Sequence, residues 1–138
     1  MKPEQFIRDF GEKKAREVVE GAPEGSSYLQ AIGSGKLIHY LGVKDEDVQL
    51  FFIDHWRPTC FDPSDLDDDV FISLEHLKRL VESLDMIIRY AYDLEGAKQL
   101  LELADGCGKI EFKSKTITVK RFEEAVRDYE SIYGEGDE

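Results

Sequence analysis

Ser27-Tyr28-Leu29-Gln30-Ala31-Ile32, then Gly33-Ser34-Gly35, then Lys36-Leu37-Ile38-His39-Tyr40-Leu41: this stretch decides the fold. Two apolar and aromatic runs flank a short glycine-rich connection, the signature of a β-hairpin. Val48-Gln49-Leu50-Phe51-Phe52-Ile53 reads as a third strand, reached through the turn Lys44-Asp45-Glu46-Asp47. Three consecutive antiparallel strands make a small meander. A sheet of that size needs another layer to cover its apolar face, so the flanking segments settle the architecture.

Upstream, Phe6, Ile7, Phe10, Ala15, Val18 and Val19 recur at helical spacing. Pro3 suits a first helical turn, Gly11 interrupts the pattern, and Gly21-Ala22-Pro23 stops it. The spacing predicts two short helices or one kinked helix. Downstream, Ser73 is placed to cap a long helix with the stripe Leu77, Leu80, Val81, Leu84, Ile87, Ile88 and Ala91. Along it, Glu75–Arg79 and Asp85–Arg89 are four apart with the acid first, the favourable order for ion pairs. Asp93 opens another helix, with Leu94, Ala97, Leu101 and Ala104 on one face and Gly106 and Gly108 at its end. Lys109–Lys113 and Thr116–Val119 alternate, as either a short hairpin or one extended arm. A last helix carries Phe122, Ala125, Val126, Tyr129, Ile132 and Tyr133. The expected fold is α+β: a small antiparallel β-meander packed against three to four helices. It is expected to occupy residues 1–133 as a single domain, followed by a flexible acidic tail at 134–138.

A chain of 138 residues with 41% apolar content can bury roughly two-thirds of its unfolded surface, enough for a core without disulfides or metals. Cys60 and Cys107 lie far apart and read as reduced, buried structural thiols. Met1-Lys2-Pro3-Glu4 leads into an amphipathic pattern rather than a secretory leader. No apolar run reaches the ~18 residues of a membrane span. These features point to a cytoplasmic protein. A net charge of −12 and a pI near 4.7 disfavour nucleic acid and anionic membrane as direct partners, because phosphates are normally held by a basic patch.

The negative charge is concentrated. Residues 42–69 hold nine acids (Asp45, Glu46, Asp47, Asp54, Asp62, Asp65, Asp67, Asp68 and Asp69) and two bases (Lys44 and Arg57), a net −7 of the whole-chain −12. The aromatic residues Phe51, Phe52, Trp56 and Phe61 fall in the same segment. Aromatics rimmed by charge are common in protein interfaces, although such residues also fill gaps between sheet and helices. No catalytic motif accompanies them. Gly33-Ser34-Gly35-Lys36 lacks the spacing of a phosphate loop, and Leu37 follows the lysine. His55 and Cys60 lack the paired ligand spacing of a zinc site. Asp62–Asp69 lacks the alternation, central glycine and final glutamate of a calcium loop. No nucleophile elbow is present. The expectation is a non-enzyme with no cofactor and no metal.

Three sets of residues carry a resemblance. Phe6-Ile7-Arg8-Asp9 with Ala15 through Gly25, Ser73-Leu74 with Leu77 through Ser83, and Asp128 through Glu135 resemble the opening, central helix and ending of small accessory proteins encoded by lambdoid phages and enterobacterial prophages. Residues 27–72 and 109–119 match that group poorly. The resemblance implies a setting, the bacterial cytosol during phage or prophage expression. It implies no activity, cofactor or catalytic residue. In that setting the expected function is to bind a host or phage protein with a basic surface through Asp45, Asp47, Trp56, Asp65, Asp67, Asp68 and Asp69. The alternative is a DNA-mimicking inhibitor of a nucleic-acid-binding protein. Its carboxylate row on the last helix would be Glu123, Glu124, Asp128 and Glu130, at the ~5–6 Å spacing of helical neighbours. Lys109, Lys113, Lys115, Lys120 and Arg121 form a basic patch just upstream, which argues against mimicry.

Overall fold

The computed structural model describes residues 2–32, 37–52, 54–66, 71–112 and 115–133. The expected Gly33–Gly35 turn, Asp67–Asp69 and the 134–138 tail lie outside them. The fold is mixed α+β, and the chain resolves into two compact units, residues 1–78 and 79–138. Among the described residues there are five α-helices, one more than the upper expectation, because Gly11 makes a full break. Helix α1 spans Pro3–Phe10 and α2 spans Glu12–Glu20. Between them Gly11 takes φ +95°, a backbone open to glycine and strained for other residues.

The first unit holds the sheet. Strands β1 (Tyr28–Ile32), β2 (Leu37–Lys44) and β3 (Asp47–Phe52) form the expected antiparallel meander. Two further strands extend it, giving the order β4-β3-β2-β1-β5. The acidic connection that follows β3 opens with β4 (His55–Pro58), which pairs with β3 so that Trp56 faces Phe51. Pro58 hid this strand: it cannot donate to a ladder, and it is tolerated here because β4 is an edge. β5 (Ile72–Ser73) pairs with β1 and is too short to show alternation.

Strand register sorts the side chains. Directly paired residues share a face, so Ile72, Leu29, Tyr40, Phe51 and Trp56 line one side. Helix α2 reaches this side, where the Tyr40 hydroxyl donates to the Val18 carbonyl at 2.7 Å. Burial pushes the Tyr40 phenol above its ordinary value near 10, so the fold holds the neutral, donating form. The stability this bond contributes is complete below about pH 10 and is lost as pH rises through the higher folded value. On the opposite face, Leu41 and Val48 pack with Leu66 and Phe71 from the connection, joined by Tyr28 and Leu50.

Helix α3 (Leu74–Ala91) starts at the predicted cap, where Ser73 Oγ accepts from the His76 N–H at 3.3 Å. Leu77, Leu80, Val81, Leu84 and Ile87 are buried as expected, but Ile88 is half exposed. In the second unit, α4 (Leu94–Leu103) is capped by Asp93, whose carboxylate accepts from Gly96 N–H at 2.8 Å. Strands β6 (Lys109–Phe112) and β7 (Lys115–Thr118) form an antiparallel hairpin, settling the choice between hairpin and arm. Helix α5 (Val119–Tyr133) follows. Ile87, Ala97, Ala104, Ile110, Phe122, Ala125 and Val126 make the core of this unit.

Charge placement departs from expectation in two ways. Asp85 and Arg89 pair at 3.0 Å as predicted. Arg79 instead pairs with Asp128 of α5 at 3.1 Å, a bidentate partner that a single Glu75 one turn away on the same helix does not match. Both cysteines are exposed rather than buried. Neither faces an apolar strand or helix stripe: Cys60 follows β4 in the connection, and Cys107 sits in the turn after α4.

Candidate functional site

The β2–β3 hairpin places the acidic turn. Lys44 pairs with Asp47, leaving Asp45 and Glu46 as a two-residue loop with φ +52° and +69°. Those are the left-handed dihedrals of a type I′ turn, which matches the twist of the flanking strands and is normally served by Asn-Gly. Asp tolerates that region; Glu does not, and a left-handed non-glycine residue costs roughly 1–2 kcal/mol. Glu46→Gly is therefore expected to raise folding stability by about 0.5–1 kcal/mol, after glycine's greater unfolded entropy is subtracted. Urea denaturation measures it, and a destabilised variant would show that Glu46 makes a stabilising contact outweighing its backbone strain. Asp45, Glu46 and Asp47 are all exposed.

Beside this turn is a cleft of about 310 Å³ lined by Gly25, Gly42, Val43, Lys44, Gln49 and Trp56. Its wall is the Trp56 indole, which stacks edge-on against Phe51 with ring centres 5.2 Å apart. From β4 the ring lies across the sheet over Gly42. A Cβ placed on Gly42 would sit 3.2 Å from the indole and 2.5 Å from the Gly25 carbonyl oxygen. Glycine at 42 is thus what lets the indole and the Gly25 segment close down on the strand. Gly42, Lys44, Asp47, Gln49 and Trp56 share one sheet face by register. Among the described residues, the Lys44 and Gln49 side chains and the indole N–H have no hydrogen-bond or ion-pair partner.

The expected site residues divide. Asp45, Asp47 and Trp56 come together at this end of the sheet. Asp65 does not join them. It ends a 3-10 turn at Pro63–Asp65, and its carboxylate accepts the Asp62 N–H at 2.7 Å in a reciprocal cap. Leu66, the next residue, packs with Leu41 and Val48 on the sheet face opposite Trp56. Asp67, Asp68 and Asp69 lie outside the described residues. The aromatic cluster also splits. Phe52 points to the opposite face and is covered by the Arg57 guanidinium at 4.8 Å, while Phe61 stacks on Phe71 at 5.7 Å.

Gly25, Gly42, Lys44 and Gln49 were missed as site residues. A signal existed: Lys44, Gly42 and Gln49 follow from continuing the β2–β3 register, but placing Trp56 over them required the unseen β4. Among the described residues no three His, Cys, Asp or Glu side chains gather as a metal set, and no helix is long and apolar enough to cross a membrane. No protein-family model matches the chain, and no curated protein or solved structure matches it.

Proposed function

We propose that this chain is a small accessory protein that binds another protein through the Trp56 cleft and the acidic turn of the β2–β3 hairpin. One observation carries the reading: a partly buried indole walls a cleft next to three solvent-facing acids on a turn that tolerates strain to keep Glu46. Strained residues persist where surrounding structure or function holds them. The indole serves as anchor and the carboxylates steer a basic partner. The phage or prophage setting belongs to this proposal, supported by the segments of α1–α2, α3 and α5 that carry the resemblance. The reading places the protein in the bacterial cytosol and assigns it no catalysis.

Duplex mimicry loses support from α5. Asp128 is buried and pairs with Arg79, Glu124 pairs with Arg121, and Glu130 pairs with Lys98. Only Glu123 of the expected row is exposed, so α5 presents no ladder of free carboxylates.

The test is a tagged pull-down from bacterial lysate comparing the wild-type chain with an Asp45→Asn, Asp47→Asn variant, which keeps the turn geometry. Capture by the wild type is expected to fall with salt, to be indifferent to added duplex DNA, and to drop roughly tenfold in the variant at low salt. Capture that survives the two substitutions unchanged would remove the acidic turn from the interface. Displacement by DNA would move the reading to mimicry.

A further inference from the structure

We propose that the Trp56 cleft accepts a proline-bearing segment in the extended polyproline conformation, with a flanking arginine or lysine directed to the Asp45–Asp47 turn. This rests on the protein-binding reading above and gives that surface a ligand class.

The argument starts from hydrogen-bonding character. The indole N–H and the Lys44 ammonium only donate, and the Gln49 amide both donates and accepts. None of the three has a side-chain partner among the described residues. Among its side chains the cleft therefore offers more donors than acceptors, with the Gly25 carbonyl oxygen as a main-chain acceptor at its floor. A matching ligand brings carbonyl oxygens and few N–H groups. An α-helix has spent its carbonyls internally, and an added β-strand brings as many donors as acceptors. A polyproline segment lacks the N–H at each proline and leaves its carbonyls unbonded.

Shape points the same way. At about 310 Å³ the cleft holds one or two side chains rather than a helix face. Gly25 and Gly42 contribute no side chains, so its floor is main chain beneath a flat aromatic wall. A proline ring lies flat against such a wall, and its segment is already ordered, so little entropy is lost on docking. Charge then fixes the flank. The exposed Asp45, Glu46 and Asp47 adjoin the cleft through Lys44. A basic residue beside the prolines meets that turn, whereas an acidic one is repelled.

Trp56 is the chain's one tryptophan, so a single indole N–H resonance in a ¹⁵N-labelled full-length sample reports on the cleft. Three blocked peptides are titrated: an oligoproline tailed with a pair of arginines, the same peptide with alanine for every proline, and the oligoproline without arginines. The first is expected to shift the indole resonance saturably. Alanine for proline should weaken binding about tenfold or more, and loss of the arginines should weaken it several-fold and remove its salt dependence. An indole unmoved by the arginine-tailed oligoproline at about millimolar concentration, or moved equally by the alanine peptide, overturns the proposal. Equal binding by both arginine-bearing peptides that is lost in the Asp45→Asn, Asp47→Asn variant would retain the acidic protein-binding surface and remove only the proline assignment. Silence from every peptide, with lysate capture still sensitive to those two substitutions, would do the same.

Discussion

Replacing Asp128 with alanine is expected to lower folding stability by about 2–3 kcal/mol. Asp128 is 6% exposed and the neighbouring Ser83 is fully buried. Ser83 donates to Asp128 at 2.6 Å, Arg79 donates to both carboxylate oxygens at 3.3 and 3.1 Å, and Arg121 donates to Ser83 at 3.2 Å. Deleting the carboxylate leaves the buried serine O–H without its acceptor and opens a cavity between α3 and α5. The full penalty of breaking a buried pair is about 3–5 kcal/mol. It is discounted here because the Arg79 side chain is 44% exposed and can rehydrate. Removing Arg79 instead leaves a buried carboxylate with only the serine hydroxyl, so Arg79→Met should cost at least as much. Urea unfolding followed by far-ultraviolet circular dichroism gives both values, and a double-mutant cycle gives their coupling, expected at about 1–3 kcal/mol. A cost for Asp128→Ala below about 0.5 kcal/mol, the range of ordinary surface changes, would show that the network is incidental.

That cluster also shows where the sequence was readable and where it was not. The helices were legible because their stripes are periodic and their starts carry chemical caps, as Ser73 and Asp93 do. The β2–β3 pairing was legible because the short polar turn Lys44–Asp47 separates two apolar runs. What escaped was set by contacts distant in sequence. Arg79 and Asp128 are 49 residues apart, and a local rule assigned Arg79 to Glu75. Asp128 itself carried a hint: it is three residues after Ala125 and four before Ile132, the spacing of one helix face, so it borders the apolar stripe rather than opposing it. The place of Trp56 among aromatics beside an acidic segment was legible. Its neighbours were not, because the fourth strand that carries it is four residues long and ends in Pro58. The local role of Asp65 was illegible for another reason. Acidity alone cannot separate a carboxylate that steers a partner from one that caps a turn, and the Asp62–Asp65 spacing is a capping spacing.

Alanine at position 96 should destabilise the protein by about 2 kcal/mol, although helix propensity taken alone favours it by about 1 kcal/mol. Gly96 sits in the first turn of α4, where its N–H is held by Asp93. A Cβ there would lie 2.1 Å from the Ala91 carbonyl oxygen and 3.2 Å from its carbon. Relief needs a shift of about 1 Å to reach the distances of ordinary packing, and the obstacle is main chain, which has no rotamer to change. Nor is the main chain free to move. The Ala91 carbonyl already accepts from Asp93 N–H at 2.8 Å, and Tyr92 between them is held at φ +75°. The close approach of α3 and α4 thus depends on a missing methyl group, and steric cost outweighs propensity. For a chain of this size the loss corresponds to a thermal midpoint lowered by roughly 6–10 °C. Gly108→Ala is the control, because a Cβ at that exposed turn meets nothing within 4 Å; its change should stay within about 0.5 kcal/mol. If Gly96→Ala raises the midpoint, the α3–α4 turn has room to open, and the tight corner does not set the geometry of the second unit.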